Sequence, residues 1–84
     1  MLIYDETRTV SVAKSARLLG GLTVPAGAYI SPVRLYRLNL PLAAGTVYVV
    51  GVTEGLERVV LPIDHFAEAD RGWLLAALPV EVET

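Results

Sequence analysis

The sequence predicts one mainly β domain, folded as a small barrel or roll of five to seven short strands. Glycine and proline recur so often that only residues 1–19 form a stretch long enough for an extended helix without a breaker. Residues 46–53, Thr-Val-Tyr-Val-Val-Gly-Val-Thr, are rich in β-branched and aromatic side chains, which pack well on a pleated sheet. A chain of 84 residues has room for a single domain over residues 1–84. Its mean hydropathy of +0.52 excludes a disordered chain.

Residues 46–53 are predicted to form a central strand of the domain and the first strand of a hairpin. Glu54 and Gly55 follow, and β-branched residues resume over residues 56–61, so the two segments are expected to pair. We expect Gly55 to adopt the positive φ angle that the turn requires. The side chains expected to face the core are Val47, Val49, Val59 and Leu61, and the alternative inward set on the first strand is Tyr48, Val50 and Val52.

The segments before the hairpin are predicted to be extended as well. Residues 22–30 indicate two short strands around a Pro-Ala-Gly turn, because a proline holds the residue before it extended. Residues 33–40 alternate between apolar and polar side chains, apart from a phase slip between Tyr36 and Arg37 that predicts a β-bulge there.

Residues 9–19 are ambiguous. They fit a helix capped near its first residue and stopped by the Gly-Gly pair that follows. They also fit a strand over residues 9–13 that runs into a loop, and we favour the strand.

One short helical turn is predicted near residues 63–70. Asp64 is placed to cap its N-terminus, and Glu68 lies near the positive end of the helix dipole. Residues 73–82 either extend this helix or form a final strand. We favour the strand, because Gly72 and Pro79 both oppose a continuous helix.

The order of elements over residues 45–66 resembles that of small SH3-like barrels. It reads as a strand, a Glu-Gly turn, a second strand ending in Val60, Leu61 and Pro62, and then a short helical turn and a last strand. The run from Val12 to Ile30, with its Pro-Ala-Gly turn, is similar to the turns of β-clip-type domains. Each resemblance implies a small β fold, and neither assigns a function to any residue of this sequence.

Charge is divided unevenly along the chain. Residues 7–53 contain five cations and no acid, whereas residues 54–84 contain seven acids and two cations. Such a division is explained by ion pairs within one domain, by complementary faces that dock two copies, or by a basic patch for a polyanion. Arginine outnumbers lysine six to one and thermolabile residues are scarce, which fits a thermophilic source or equally a GC-rich genome.

Enzymatic chemistry has little support in this sequence. The absence of cysteine excludes thiol catalysis and cysteine-ligated metals, and a single histidine excludes multi-histidine metal sites. His65 is preceded by Asp64, but adjacent residues on a helical turn point about 100° apart, so the carboxylate is badly placed to orient the imidazole. We therefore expect no enzyme and no catalytic, metal or cofactor site.

Arg34, Tyr36 and Arg37 form the candidate binding surface. Guanidinium groups beside an aromatic ring on a strand are how small barrels hold single-stranded nucleic acid. An isoelectric point near 5.2 opposes this function, because a basic domain is the usual footprint of a nucleic-acid binder.

The function predicted from these features is a non-enzymatic interaction or assembly module. A short chain that is 54% hydrophobic is expected to cover part of its apolar surface by self-association, so a homo-oligomer is predicted. A different protein partner remains open, and a small nucleic-acid-binding barrel is the rival function. The charge-free stretches are too short to span a membrane and no secretory signal is visible, so we expect a cytoplasmic protein.

Overall fold

The computed structural model describes residues 3–18, 21–38 and 47–83. Within these ranges the chain is mainly β, with one short α-helix and one turn of 3₁₀ helix. Residue 46, where the central strand was predicted to begin, and residues 39–40 of the alternating segment lie outside them. The elements are β1 (Val10–Ser11), β2 (Ala16–Arg17), β3 (Thr23–Val24), β4 (Tyr29–Leu38), β5 (Val47–Thr53), β6 (Arg58–Pro62), the 3₁₀ turn (Ile63–His65), α1 (Glu68–Ala77) and β7 (Val80–Glu83).

Strand β4 is the centre of the main sheet. Strand β5 pairs with it antiparallel along one side. On the other side, β1 pairs antiparallel with the first residues of β4 and β7 pairs parallel with its last residues. Strand β6 pairs antiparallel with β5 and is the outermost described strand on that side, while β2 and β3 form a separate hairpin.

The mainly β class is confirmed, and the described residues form seven strands, within the predicted range of five to seven. Within the described residues the two sheets stay open and do not close into a barrel. The barrel architecture and the resemblance to SH3-like domains are therefore not confirmed.

The core lies on one face of the main sheet. The predicted inward residues Val47, Val49, Val59 and Leu61 all belong to it, and none is more than 8% exposed. Burying a valine or leucine in this way stabilises the fold by about 1.5–3 kcal/mol. The other buried members of the cluster are Val10, Val12, Val24, Ile30, Leu35, Phe66, Leu74 and Leu78.

Residues 9–18 are not helical; the favoured strand over residues 9–13 is confirmed in part as β1, and the expected loop after it contains a bend and then β2. Val10 and Val12 both reach the core, and Val12 forms an isolated β-bridge with Phe66. The Pro-Ala-Gly turn is also confirmed. Gly27 has a φ of 90°, and the Ala28 N–H donates to the Pro25 carbonyl at 3.1 Å, as in a type II turn.

The hairpin between β5 and β6 is confirmed, but its turn differs from the prediction. Gly55 does not adopt positive φ; Leu56 does, at 65°. The Leu56 N–H donates to the Thr53 carbonyl at 2.9 Å, and the Thr53 N–H donates to the Glu57 carbonyl at 2.9 Å. These two hydrogen bonds close the loop around Leu56, which accepts a left-handed conformation that is costly for a branched side chain.

The helical region corrects two predictions. Helical structure near residues 63–70 is confirmed, as a 3₁₀ turn and the first residues of α1, but Asp64 is not an N-cap. Instead Pro62 precedes a 3₁₀ turn and Ala67 precedes α1, neither with a side-chain cap. Helix α1 then continues through Gly72 to Ala77, so the strand favoured over residues 73–82 is limited to β7.

Arg71 joins helix α1 to the 3₁₀ turn. Its Nε donates to the Phe66 carbonyl at 3.0 Å, and one terminal amino group donates to the Asp64 carbonyl at 3.3 Å. These carbonyls lie where the turn ends and have no helical partner. Arg71 therefore supplies hydrogen bonds that a continuous helix would have made with its own backbone.

Candidate binding cleft on the outer sheet face

The face of the main sheet that points away from the core is called the outer face. Cross-strand pairing arranges its side chains in three rows. The first row contains Tyr36, Tyr48 and Pro62; the second contains Arg34, Val50 and Val60; the third contains Ser31, Val52 and Arg58.

A bulge in β4 determines which arginines share this face. The register of β4 against β5 shifts between Pro32 and Arg34, so Val33 is the additional residue. The bulge predicted between Tyr36 and Arg37 is therefore wrong. From Arg34 to Arg37 the pairing is regular, and side chains alternate between the two faces.

The three predicted site residues are therefore not brought together. Arg34 and Tyr36 lie on the outer face, whereas Arg37 pairs with Val47 and lies on the opposite face. Arg58, which sequence analysis did not single out, shares the outer face with Arg34. The alternation of Arg58 with the buried Val59 would have placed it outside the core, but its proximity to Arg34 depends on the register and the bulge.

Arg34 forms an ion pair with the last strand. Its Nε lies 2.9 Å from Oε2 of Glu81. The N–H is not directed along this line, so the contact is an ion pair without a well-formed hydrogen bond. Because both side chains are substantially exposed to solvent, the pair adds little to stability, but it compensates much of the charge of Arg34.

A cleft of about 480 Å³ lies on the outer face between Arg34 and Arg58. Val50 and Val52 form its apolar floor. Both are buried, yet neither belongs to the core cluster on the other side of the sheet. The described residues that line the cleft are Ile3, Val33, Arg34, Val50, Gly51, Val52 and Arg58.

The segment that contains Ile3 is anchored to β4. The Asp5 N–H donates to Oγ of the buried Ser31 at 3.1 Å. The Asp5 carboxylate accepts hydrogen bonds from the Thr7 hydroxyl and backbone N–H, which lower the pKa of Asp5 below its ordinary value. A lowered pKa favours the folded turn above the unfolded pKa of this group, and that stabilisation is lost as the pH falls through the folded value.

The two ends of the main sheet differ in chemistry. At one end β7 presents Glu81 among the half-exposed Val80 and Val82. At the other end β6 presents Val60, 39% exposed, and none of the described strands pairs with its outward edge. Acidic side chains on β7 discourage it from pairing with a strand of another chain, whereas β6 has no acidic side chain.

The 3₁₀ turn does not form an acid–base pair. Among the hydrogen bonds of the described residues, none joins the Asp64 carboxylate to the His65 imidazole, and Nδ1 of His65 is buried without a partner. The His65 carbonyl instead accepts from the Ala13 and Lys14 N–H groups at 2.7 and 3.2 Å. The contacts of this turn are those of a structural connection between β1 and α1.

Metal-ligating side chains are not clustered in the part of the chain that the structure describes: His, Asp and Glu there form no group of three or more. No helix in residues 3–18, 21–38 or 47–83 has the length and apolar character that a membrane crossing requires.

Comparison with known proteins assigns no relative to this chain. No protein-family model, no curated protein and no solved structure matches it.

Proposed function

We propose that this protein is a non-enzymatic assembly module that self-associates by pairing β6 with β6 of a second copy. The observation that supports this proposal is the outward edge of β6, with which none of the described strands pairs and which carries the exposed Val60 and no acidic side chain. An unpaired edge of this kind is a template for another strand. Pairing two identical edges gives a closed, two-fold symmetric dimer.

The hydrogen-bond pattern of β6 defines which groups are available. The Thr53 N–H donates to the Glu57 carbonyl, and antiparallel pairs alternate between hydrogen-bonded and non-bonded. The N–H groups of Val59 and Leu61 therefore point towards β5, and those of Arg58 and Val60 point outward. Pro62 also lies on the outward side, where its missing N–H costs the sheet nothing.

Antiparallel pairing centred on Val60 satisfies these groups. The two Val60 residues exchange both backbone hydrogen bonds across the two-fold axis, and each Arg58 N–H donates to the Pro62 carbonyl of the other copy. Arg58 is then brought towards the end of the other β6 that is followed by the exposed Asp64. This approach of opposite charges favours the antiparallel arrangement.

Replacing Val60 by lysine is expected to abolish self-association. The wild-type chain should show a dimer mass by light scattering at micromolar concentration. The variant should show a monomer mass, because two lysines opposite each other at the axis repel. Val60 is exposed, so the thermal unfolding midpoint should change little.

Val82→Lys is the matched control. It introduces the same change at a comparably exposed valine on β7, at the other end of the sheet, and should leave the dimer mass unchanged. A wild-type chain that is monomeric at every concentration would contradict the proposal. The proposal would also be contradicted if Val82→Lys were monomeric while Val60→Lys remained a dimer.

Nucleic-acid binding is the second candidate function, and one observation favours it. Tyr36 and Tyr48 lie directly opposite each other on the outer face, beside Arg34, and aromatic rings on a sheet can stack with bases. Two observations oppose it. Glu81 compensates Arg34, and Arg37 lies on the other face, so the two-arginine clamp does not form.

Single-stranded oligonucleotides are expected not to bind measurably at physiological salt. Arg34→Ala and Arg37→Ala are the variants that test a contribution of either arginine. Fluorescence anisotropy of a labelled oligonucleotide, measured across a salt series, provides the test, because binding through phosphates weakens steeply with salt. Micromolar binding that is lost in either variant and weakens with salt would favour the nucleic-acid function over self-association.

A further inference from the structure

We propose that the cleft between Arg34 and Arg58 binds a small amphipathic anion with one carboxylate and an aliphatic body. The cleft volume of about 480 Å³ is within the range of small-ligand sites. Its lining combines an apolar floor with two guanidinium groups. Arg58 takes part in both proposals, through its backbone N–H in the dimer and through its guanidinium in the cleft, so the oligomeric state is recorded in every binding experiment.

The apolar part of the cleft fits an aliphatic body. Val50 and Val52 form the floor on the side of the sheet away from the core. Ile3 and Val33 form walls and remain 61% and 44% exposed. An aliphatic chain placed between them would remove this exposed apolar surface from water, which is the main driving force for binding such a chain.

The charges around the cleft favour a single anionic group. Among the residues that the structure describes, no acidic one lines it. Arg34 is compensated by Glu81, whereas Arg58 has no ion pair among the described residues. Of the two lining guanidinium groups, the one at Arg58 is therefore left without a carboxylate partner. A guanidinium binds a carboxylate through two parallel hydrogen bonds, so a carboxylate is the best match.

The spacing of the arginines defines how the ligand lies. Arg34 pairs with Val50, and Arg58 pairs with Val52. Their Cα atoms lie two strands and two residues apart, which amounts to about 12 Å. A carboxylate held at Arg58 directs its aliphatic chain across Val52 and Val50 towards Arg34, and octanoate has a comparable length.

Octanoate is the probe that tests this site. We expect saturable millimolar or tighter binding in an NMR titration of the full chain, with the largest amide shifts at the residues lining the cleft. Octanol should bind at least about tenfold more weakly, because it lacks the carboxylate for Arg58. Butyrate should also bind more weakly, because it covers less of the valine floor.

Arg58→Gln is the decisive variant, and Arg37→Gln is its control. Both replace an exposed arginine on the main sheet, but Arg37 lies on the opposite face. Arg58→Gln should weaken octanoate binding by about tenfold or more, and Arg37→Gln should leave it unchanged. Unaltered thermal unfolding of both variants will show that each is folded.

Three outcomes would overturn the site: shifts centred away from the cleft, equal effects of the two variants, or equal binding of octanol and octanoate. Light scattering on the same samples records the oligomeric state separately. A monomeric chain that binds octanoate at Arg58 would contradict the dimer alone. A dimer without octanoate binding would contradict the cleft alone.

Discussion

Replacing Phe66 by alanine is expected to lower the free energy of unfolding by about 3–5 kcal/mol. Phe66 is 0% exposed and belongs to the core cluster. Its backbone also bridges to Val12 and accepts a hydrogen bond from Arg71, so it joins the N-terminal strands to the helix. A chain of this size has a total stability of roughly 4–13 kcal/mol, so the loss is a large part of the whole. Urea unfolding followed by circular dichroism measures it.

Two further variants keep this prediction testable if Phe66→Ala does not fold. Phe66→Leu retains most of the buried volume and should cost about 1–2 kcal/mol. Leu75→Ala removes a large side chain that is 48% exposed on α1, and should change stability by less than about 0.5 kcal/mol. A loss at Phe66→Leu no greater than at Leu75→Ala would show that Phe66 is not a centre of the core.

The local character of the main sheet was predictable, whereas its two faces were harder to distinguish. Val47 and Val49 were correctly expected to face the core. The alternative residues Val50 and Val52 are also buried, on the outer face. Periodicity cannot separate two apolar faces of one strand, and what covers the outer face depends on segments distant in sequence.

A helix that continues through residues 73–77 is one of the two sequence predictions, and Gly72 and Pro79 favour the other. Gly72 costs a helix about 1 kcal/mol relative to alanine. Leu74 and Leu78 are four residues apart and both reach the core, and their burial exceeds that cost. The i, i+4 spacing of these leucines was the available signal for a helical face.

The candidate site depended on register, which local sequence does not specify. The bulge lies at Pro32–Arg34, near a proline that lacks an N–H for the ladder, and this was a usable signal for an irregular position. One shifted residue decides which of Arg34 and Arg37 faces outward. Arg58 lies on the same face as Arg34 because β4, β5 and β6 pair in this register. No local sequence pattern predicts this proximity.

Replacing Gly51 by alanine is expected to destabilise the protein by about 1–3 kcal/mol. A Cβ at Gly51 would lie 2.9 Å from Cδ1 of Ile30 and 3.0 Å from the Ser31 carbonyl oxygen. Ile30 is fully buried, and the Ser31 carbonyl belongs to the backbone of β4 beside the bulge. Neither neighbour can move without disturbing the core or the pairing of β4 with β5.

Gly72→Ala is the matched control, with an expected effect of opposite sign. A Cβ there would meet nothing within 4 Å, and Gly72 lies inside α1. Alanine should therefore stabilise the chain by about 0.5–1 kcal/mol, because it is the better helix former. Parallel thermal unfolding of the two variants decides the matter. Equal midpoints of the two variants would show that the close packing of β4 on β5 at Gly51 is absent in solution. A midpoint of Gly72→Ala below that of the wild type would contradict the presence of α1 at residue 72.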